Sequence, residues 1–123
     1  MRAMVYLRFL SEKEVELNLP DSQDEVLKYC VNKNYDILVW LNMVGNSPSA
    51  IKHGQKKIME IAQKRYVDLL VLQDFHALST SMPEATEMIK RLKQSGVSVE
   101  CLRYDLLEYT LYRALANEGL IAT

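Results

Sequence analysis

Residues 67–72, VDLLVL, are apolar at five of six places, and a dense set of polar side chains follows at once: Gln73, Asp74, His76, Ser79, Thr80 and Ser81. A run this short and this apolar reads as a strand buried on both faces, which needs a covering layer above and below it. In open α/β sheets the carboxyl edge of such strands is where binding and chemistry gather. Residues 66–82 are therefore the stretch on which both fold and site depend.

The rest of the chain supplies the covering layers. Residues 3–9, AMVYLRF, form a first strand, and residues 35–41, YDILVWL, a second. Residues 97–102 form a fourth, with Val97, Val99 and Cys101 alternating against Ser98 and Glu100. Between the first two strands, residues 11–20 lack a clear period and read as a loop. Pro20 then introduces a helix capped by the Ser22–Glu25 spacing, with Val26, Leu27, Cys30 and Val31 as its inner stripe. Residues 42–49 read as a loop, after which Ser49 caps a helix reaching about Arg65. Ser81 and Glu84 have capping-box spacing and Pro83 fits the first turn, so a third helix starts there, with Gly96 as its stop. Arg103 or Tyr104 begins a last helix that runs to about Asn117. The order β-α-β-α-β-α-β-α implies right-handed crossovers and one three-layer α/β/α sandwich over residues 1–123, with a mainly parallel sheet.

Composition narrows the function. Fifteen basic and sixteen acidic residues leave a net charge of −1, without the basic surplus usual for an autonomous nucleic-acid binder. The apolar runs are strand-length, so no membrane span is expected. Cys30 and Cys101 lie far apart in apolar surroundings and read as reduced core thiols of a cytoplasmic protein. Four glycines, at 45, 54, 96 and 119, form neither G-x-G-x-x-G nor a P-loop. His53, His76, Cys30 and Cys101 have no metal-ligand spacing, and no cofactor is expected. A phospho-acceptor site would want paired acids just after the first strand, where Phe9 and Leu10 stand.

Several phrases in order carry a resemblance. Tyr6-Leu7-Arg8-Phe9-Leu10-Ser11 ends the first strand, and residues 27–37, LKYCVNKNYDI, lead into the second. Lys52-His53-Gly54 lies at the next helix start, His76-Ala77-Leu78-Ser79-Thr80-Ser81 in the loop after the third strand, and Gly96-Val97 at the last turn. The whole resembles the catalytic domain of serine recombinases, the resolvase and invertase family, whose first strand ends Tyr-x-Arg-x-Ser and whose loop reads Asp-Arg-Leu-Ser-Arg-Ser. The resemblance implies a resolvase-like fold. For the family it implies a serine that attacks a phosphodiester while arginines stabilise the charge on the phosphoryl oxygens.

The departures fall on that chemistry. Leu10 stands at the nucleophile's place, and the loop's aspartate and two arginines are His76, Ala77 and Thr80. Lys52 replaces the arginine opening the second helix, keeping the charge but not the bidentate fork. Arg8 alone is unchanged. A one-residue shift would let Ser11 serve as nucleophile, with two arginines still missing. The expected residual pocket is Arg8, Ser11, Lys52, Asp74, His76 and Ser79, and all of these but Ser11 are the set an anion or small-molecule site would use.

Surface charge and the last helix suggest partners. Residues 11–25 hold six acids and one base, which either repel DNA from the cleft or simply solvate the segment. Lys52, Lys56 and Lys57 are weak candidates for phosphate contact, a solvated helix face being the alternative. Leu107, Leu111, Tyr112 and Leu115 on the last helix form either an inner packing stripe or a dimer interface. In the family the corresponding helix mediates dimerisation and leads to a DNA-binding domain, whereas this sequence ends at Thr123. The expectation is a homodimer, or a hetero-oligomer with a recombinase-like protein, that binds DNA weakly or not at all by itself and has lost catalysis.

Overall fold

A computed structural model of the chain describes residues 1–103 and 106–120. Four parallel strands, β1 (Arg2–Phe9), β2 (Asp36–Val44), β3 (Leu69–Leu72) and β4 (Ser98–Cys101), lie in the order β2-β1-β3-β4. Helices α1 (Glu12–Asn32), α2 (Pro48–Gln63), α3 (Met82–Gln94) and α4 (Leu106–Asn117) alternate with them.

Handedness assigns the helices to faces. The chain steps from β1 outward to β2, then back across β1 to β3 and on to β4. Right-handed crossovers in opposite directions place their helices on opposite faces. Accordingly α1 covers one face alone, with Val26 and Cys30 packed on Ala3, Val5, Leu7, Leu69 and Val71. On the other face Ile58, Ala62, Met88, Ile89, Leu92 and Leu115 pack on Met4, Leu70, Leu72 and Val99. The direction of travel reverses between β1 and β3, and that switch point opens a crevice at their carboxyl ends.

The first helix differs from the expectation at its start. Residues 12–20 are helical, and Ser11, not Ser22, is the N-cap: its Oγ accepts the Glu14 backbone N–H at 3.2 Å. The Glu14 carboxylate accepts the Leu10 N–H at 2.9 Å, closing the turn from the other side. Pro20 sits inside the helix on its exposed side. The stripe is hard to read because α1 covers the sheet with a narrow band and leaves Leu17, Leu27 and Val31 exposed.

Three other boundaries shift. β2 continues through Asn42, Met43 and Val44, which pair with Leu7, Arg8 and Phe9. Ser47 rather than Ser49 caps α2, accepting from the Ala50 N–H at 3.2 Å ahead of Pro48. β4 is confined to Ser98–Cys101. The expected start of α3 is present: Ser81 Oγ accepts the Glu84 N–H at 3.4 Å. Gly96, at φ +83°, reverses the chain out of α3 in a left-handed conformation that glycine adopts without steric cost. Of the two expected starts of the last helix, Arg103 is not helical and Tyr104 lies outside the described residues; α4 is described from Leu106.

A buried polar group stands apart from the crevice. Glu100 is buried on the α1 face, where Tyr35 hydrogen-bonds to it. Burial, then this carboxylate, pushes the Tyr35 hydroxyl up to about 12, and the same two causes push the Cys30 thiol up to about 11.

Candidate active-site cleft

The crevice is a cleft of about 270 Å³ lined by Tyr6, Leu7, Arg8, Leu10, Glu14, Gln73, Asp74, His76 and Ala77. Local structure fixes each wall. β1 delivers Tyr6 and Arg8 two residues apart and hence on opposite sides of one intervening residue, facing the same way. The short β3 ends at Leu72, and Asp74 then caps a 3-10 turn (Phe75–Ala77) by accepting the His76 N–H at 3.0 Å. The first turn of α1 supplies Glu14.

Arg8 is held by neutral acceptors. Its Nη1 donates to Asn46 Oδ1 at 3.1 Å and its Nη2 to the His76 carbonyl oxygen. Two of its five donors therefore tie the β1 end to the loops after β2 and β3. Tyr6 is 1 % exposed, and its hydroxyl lies against Gly54 of α2, where any side chain would overlap it. Burial raises the Tyr6 hydroxyl above the usual tyrosine range, with Arg8 pulling the other way. The phenol is thus kept protonated and is a poor nucleophile at neutral pH.

Charge in the cleft is mixed. Arg8 is the one lysine or arginine among the lining residues, and two carboxylates, Glu14 and Asp74, share the space with it. On the far side of Arg8 the surface opens into a second basin with Asp21, Glu25 and Arg103, in which Arg103 Nη1 pairs with Glu25 at 3.3 Å. Glu14, Asp21 and Glu25 all stand on α1, so the acidic segment lies along the cleft as a helix flank rather than as a loop.

The residues singled out from sequence separate into groups. Arg8, Asp74 and His76 meet in the cleft. Leu10 lines it too and is 62 % exposed. Ser11 is next to it in sequence but outside the lining, with its oxygen engaged as the α1 cap. Lys52 is elsewhere, in a groove between α2 and α3 with Gln55, Lys56 and Arg91; Lys57 is exposed on the same helix. Ser79 is buried, donating to Glu84 Oε2 at 3.2 Å and accepting from the Ser81 N–H at 3.0 Å. It braces the α3 start together with Gln55, which donates to the Leu78 carbonyl and to Glu84. Leu115 is buried in the core beneath α4, and the side chains of Leu107, Leu111 and Tyr112 lie outside the described residues.

Tyr6, Glu14 and Gln73 are members of the cleft outside the expected pocket, although Gln73 belongs to the polar set after the third strand and Tyr6 to the first-strand phrase. Tyr6 and Gln73 could have been found from their places at adjoining strand ends, and Glu14 from its capping-box spacing to Ser11. Among the described residues no three His, Cys, Asp or Glu side chains converge as a metal site would require.

Known proteins match this chain in family and in fold. The family model described as the resolvase N-terminal domain matches residues 3–116. The C-terminal catalytic domain of ISC1926 TnpA, an IS607-like serine recombinase, superposes with a TM-score of 0.74 at 17% identity, covering 97% of this chain and 83% of that one. The N-terminal catalytic domain of TP901-1 integrase gives 0.72 at 11%, covering 97% and 94%. A resolvase family site-specific recombinase from Streptococcus pneumoniae gives 0.71 at 15%, covering 97% and 87%. No curated protein matches in sequence.

Proposed function

The chain belongs to the resolvase N-terminal domain family, and from that premise we propose that it is a serine-recombinase-like domain that has lost strand transfer and acts through protein contacts. Its partner is a second copy or an intact recombinase, so its role in DNA recombination is regulatory.

The charge of the cleft carries this reading. A phosphoryl group in flight needs cations aimed at its oxygens, and the cleft offers Arg8 against Glu14 and Asp74. Leu10 brings no nucleophilic atom, Ala77 no charge, and Lys52 lines a different groove. Removing one preorganised charge partner costs about 100-fold or more in rate, and two such losses compound. The buried thiols of Cys30 and Cys101 suit a reducing cytoplasm. The family likeness suits a setting in mobile elements.

Ser11 keeps a second reading alive, because its hydroxyl sits beside Leu10 at the exposed start of α1. An active recombinase using Ser11 predicts a covalent protein–DNA adduct. Supercoiled plasmids carrying candidate recombination sites are incubated with the protein and resolved under denaturing conditions. The proposal expects neither nick nor adduct; an adduct abolished in Ser11→Ala establishes the enzyme instead. An anion or small-molecule site in the same cleft predicts a raised melting temperature with phosphate or nucleotides.

A further inference from the structure

We infer that the free edge of β2, with the part of α1 beside it, is a self-association surface that takes a second copy of this chain through antiparallel β2–β2 pairing. The inference goes beyond the reading of the cleft, and the sizing experiment below decides it whatever the nicking assay returns.

β2 is the outermost strand of the sheet and nine residues long. β1 pairs along one side of it, and among the described residues no strand pairs along the other. Exposed edges are normally blunted by charge, proline, brevity or bulges. Residues 37–44 contain neither charge nor proline, and the one irregularity is a bulge at Leu38, between the Ala3↔Ile37 and Met4↔Val39 pairs. Beyond it six residues, 39–44, present an unbroken edge.

Apolar side chains surround that edge. Leu38 is 55 % exposed, Leu27 49 % and Val31 62 %. Leu27 and Trp40 share an open cleft with Pro20, Gln23 and Asp24, between α1 and the α1-side face of β2. Trp40 Nε1 donates to Asn42 Oδ1 at 2.8 Å, so its one polar atom is satisfied inside the chain and its ring can be buried without loss.

A second copy is the occupant these features specify. Open N–H and C=O groups along an edge are a template for a strand, and β2 is itself a strand of matching length and polarity. A two-fold axis normal to the sheet makes the two β2 strands antiparallel and keeps both α1 helices on the same face. With the axis at Trp40, the middle residue of β2, residues 39–41 of the two copies oppose one another, Asp36 lies beyond the Leu38 bulge towards the Val44 end of the other copy, and no like charges are opposed. Leu27, Val31 and Trp40 of both copies then close over the same side of the eight-stranded sheet. Asp24, at the rim, is already paired with Lys28 at 2.9 Å. Nine strand residues span about 30 Å, and strand plus helix layers are about 20 Å deep, giving roughly 600 Å² of flat area per copy. That reaches the lower bound of about 600 Å² per partner for a stable interface.

Analytical ultracentrifugation of the full chain tests the surface, together with cross-linking. The wild type is expected to sediment as a dimer. Leu38→Lys is expected to weaken dimerisation at least about 100-fold, because symmetry places the buried charge in the interface twice. Trp40→Cys is expected to form an intermolecular disulfide under mild oxidation, whereas Arg65→Cys, at the end of α2 on the opposite face, is not; the native cysteines are buried. If Leu38→Lys does not fold, the cross-linking pair decides. A monomeric wild type, or a dimer that survives Leu38→Lys and leaves Trp40→Cys uncross-linked, overturns the inference.

Discussion

Gly54→Ala tests how Tyr6 is locked into the cleft wall. Gly54 lies inside α2, where replacing glycine by alanine ordinarily stabilises a helix by about 1 kcal/mol. A Cβ at this position, however, overlaps the Tyr6 hydroxyl outright and stands 3.0 Å from Cζ and 3.5 Å from Cε2. Tyr6 is fully buried and cannot swing aside, so overpacking should cost about 1–3 kcal/mol. The net expectation is a loss of about 0–2 kcal/mol, opposite in sign to the helical preference. In a Tyr6→Phe background the overlapping atom is gone and the ring needs to give only a few tenths of an ångström. There Gly54→Ala should be neutral or stabilising by up to about 1 kcal/mol. Urea unfolding of the four proteins at a common slope gives the coupling, expected at about 1–3 kcal/mol. If Gly54→Ala stabilises both backgrounds equally, Tyr6 is not held against Gly54.

Three further outcomes follow from particular contacts. Ser11→Ala should cost about 1 kcal/mol of stability, the usual value for a lost N-cap, as measured by the urea midpoint. Stability should fall between about pH 9 and pH 12. Below that range Cys30 and Tyr35 are protonated folded or unfolded; within it the unfolded chain loses protons that the native state holds until about 11 and about 12. Tyr35→Phe should shallow that alkaline decline in pH-dependent unfolding, and an unchanged slope would contradict the placement of Tyr35 beside Glu100. Arg8→Ala should loosen the loops after β2 and β3, seen as faster amide exchange at Asn46 and His76, because one guanidinium joins them.

Strands and the α3 start were legible because each rests on a local signal. Residues 67–72 are buried on both faces and so apolar throughout, and Ser81–Pro83–Glu84 marks a helix start three ways at once. The start of α1 was obscured for a physical reason. Pro20 resembles a helix beginning, and the exposed Leu17 and Val31 blur the 3.6-residue stripe, although Ser11 and Glu14 held the capping signal throughout. The end of β2 was lost because Asn42 reads as loop, whereas pairing with Leu7 decides it. In the cleft, Arg8, Asp74 and His76 were readable as strand-end residues of β1 and β3. Lys52 was not, because its position depends on which side of α2 faces α3, and that is settled by tertiary packing. The family likeness, legible from Tyr6-Leu7-Arg8 and the loop after β3, is borne out by the family match and the shared fold.

The proposed loss of phosphoryl binding in this cleft is tested most directly by phosphate binding, without any need for the right DNA site. A short phosphodiester oligonucleotide is titrated into isotopically labelled protein while the Arg8 side-chain signal and the amides of Gln73, Asp74 and His76 are followed. With Glu14 and Asp74 flanking a single arginine, no saturable shift is expected at these positions. A saturable shift centred on Arg8 and lost in Arg8→Ala would contradict the account and return the cleft to phosphate chemistry.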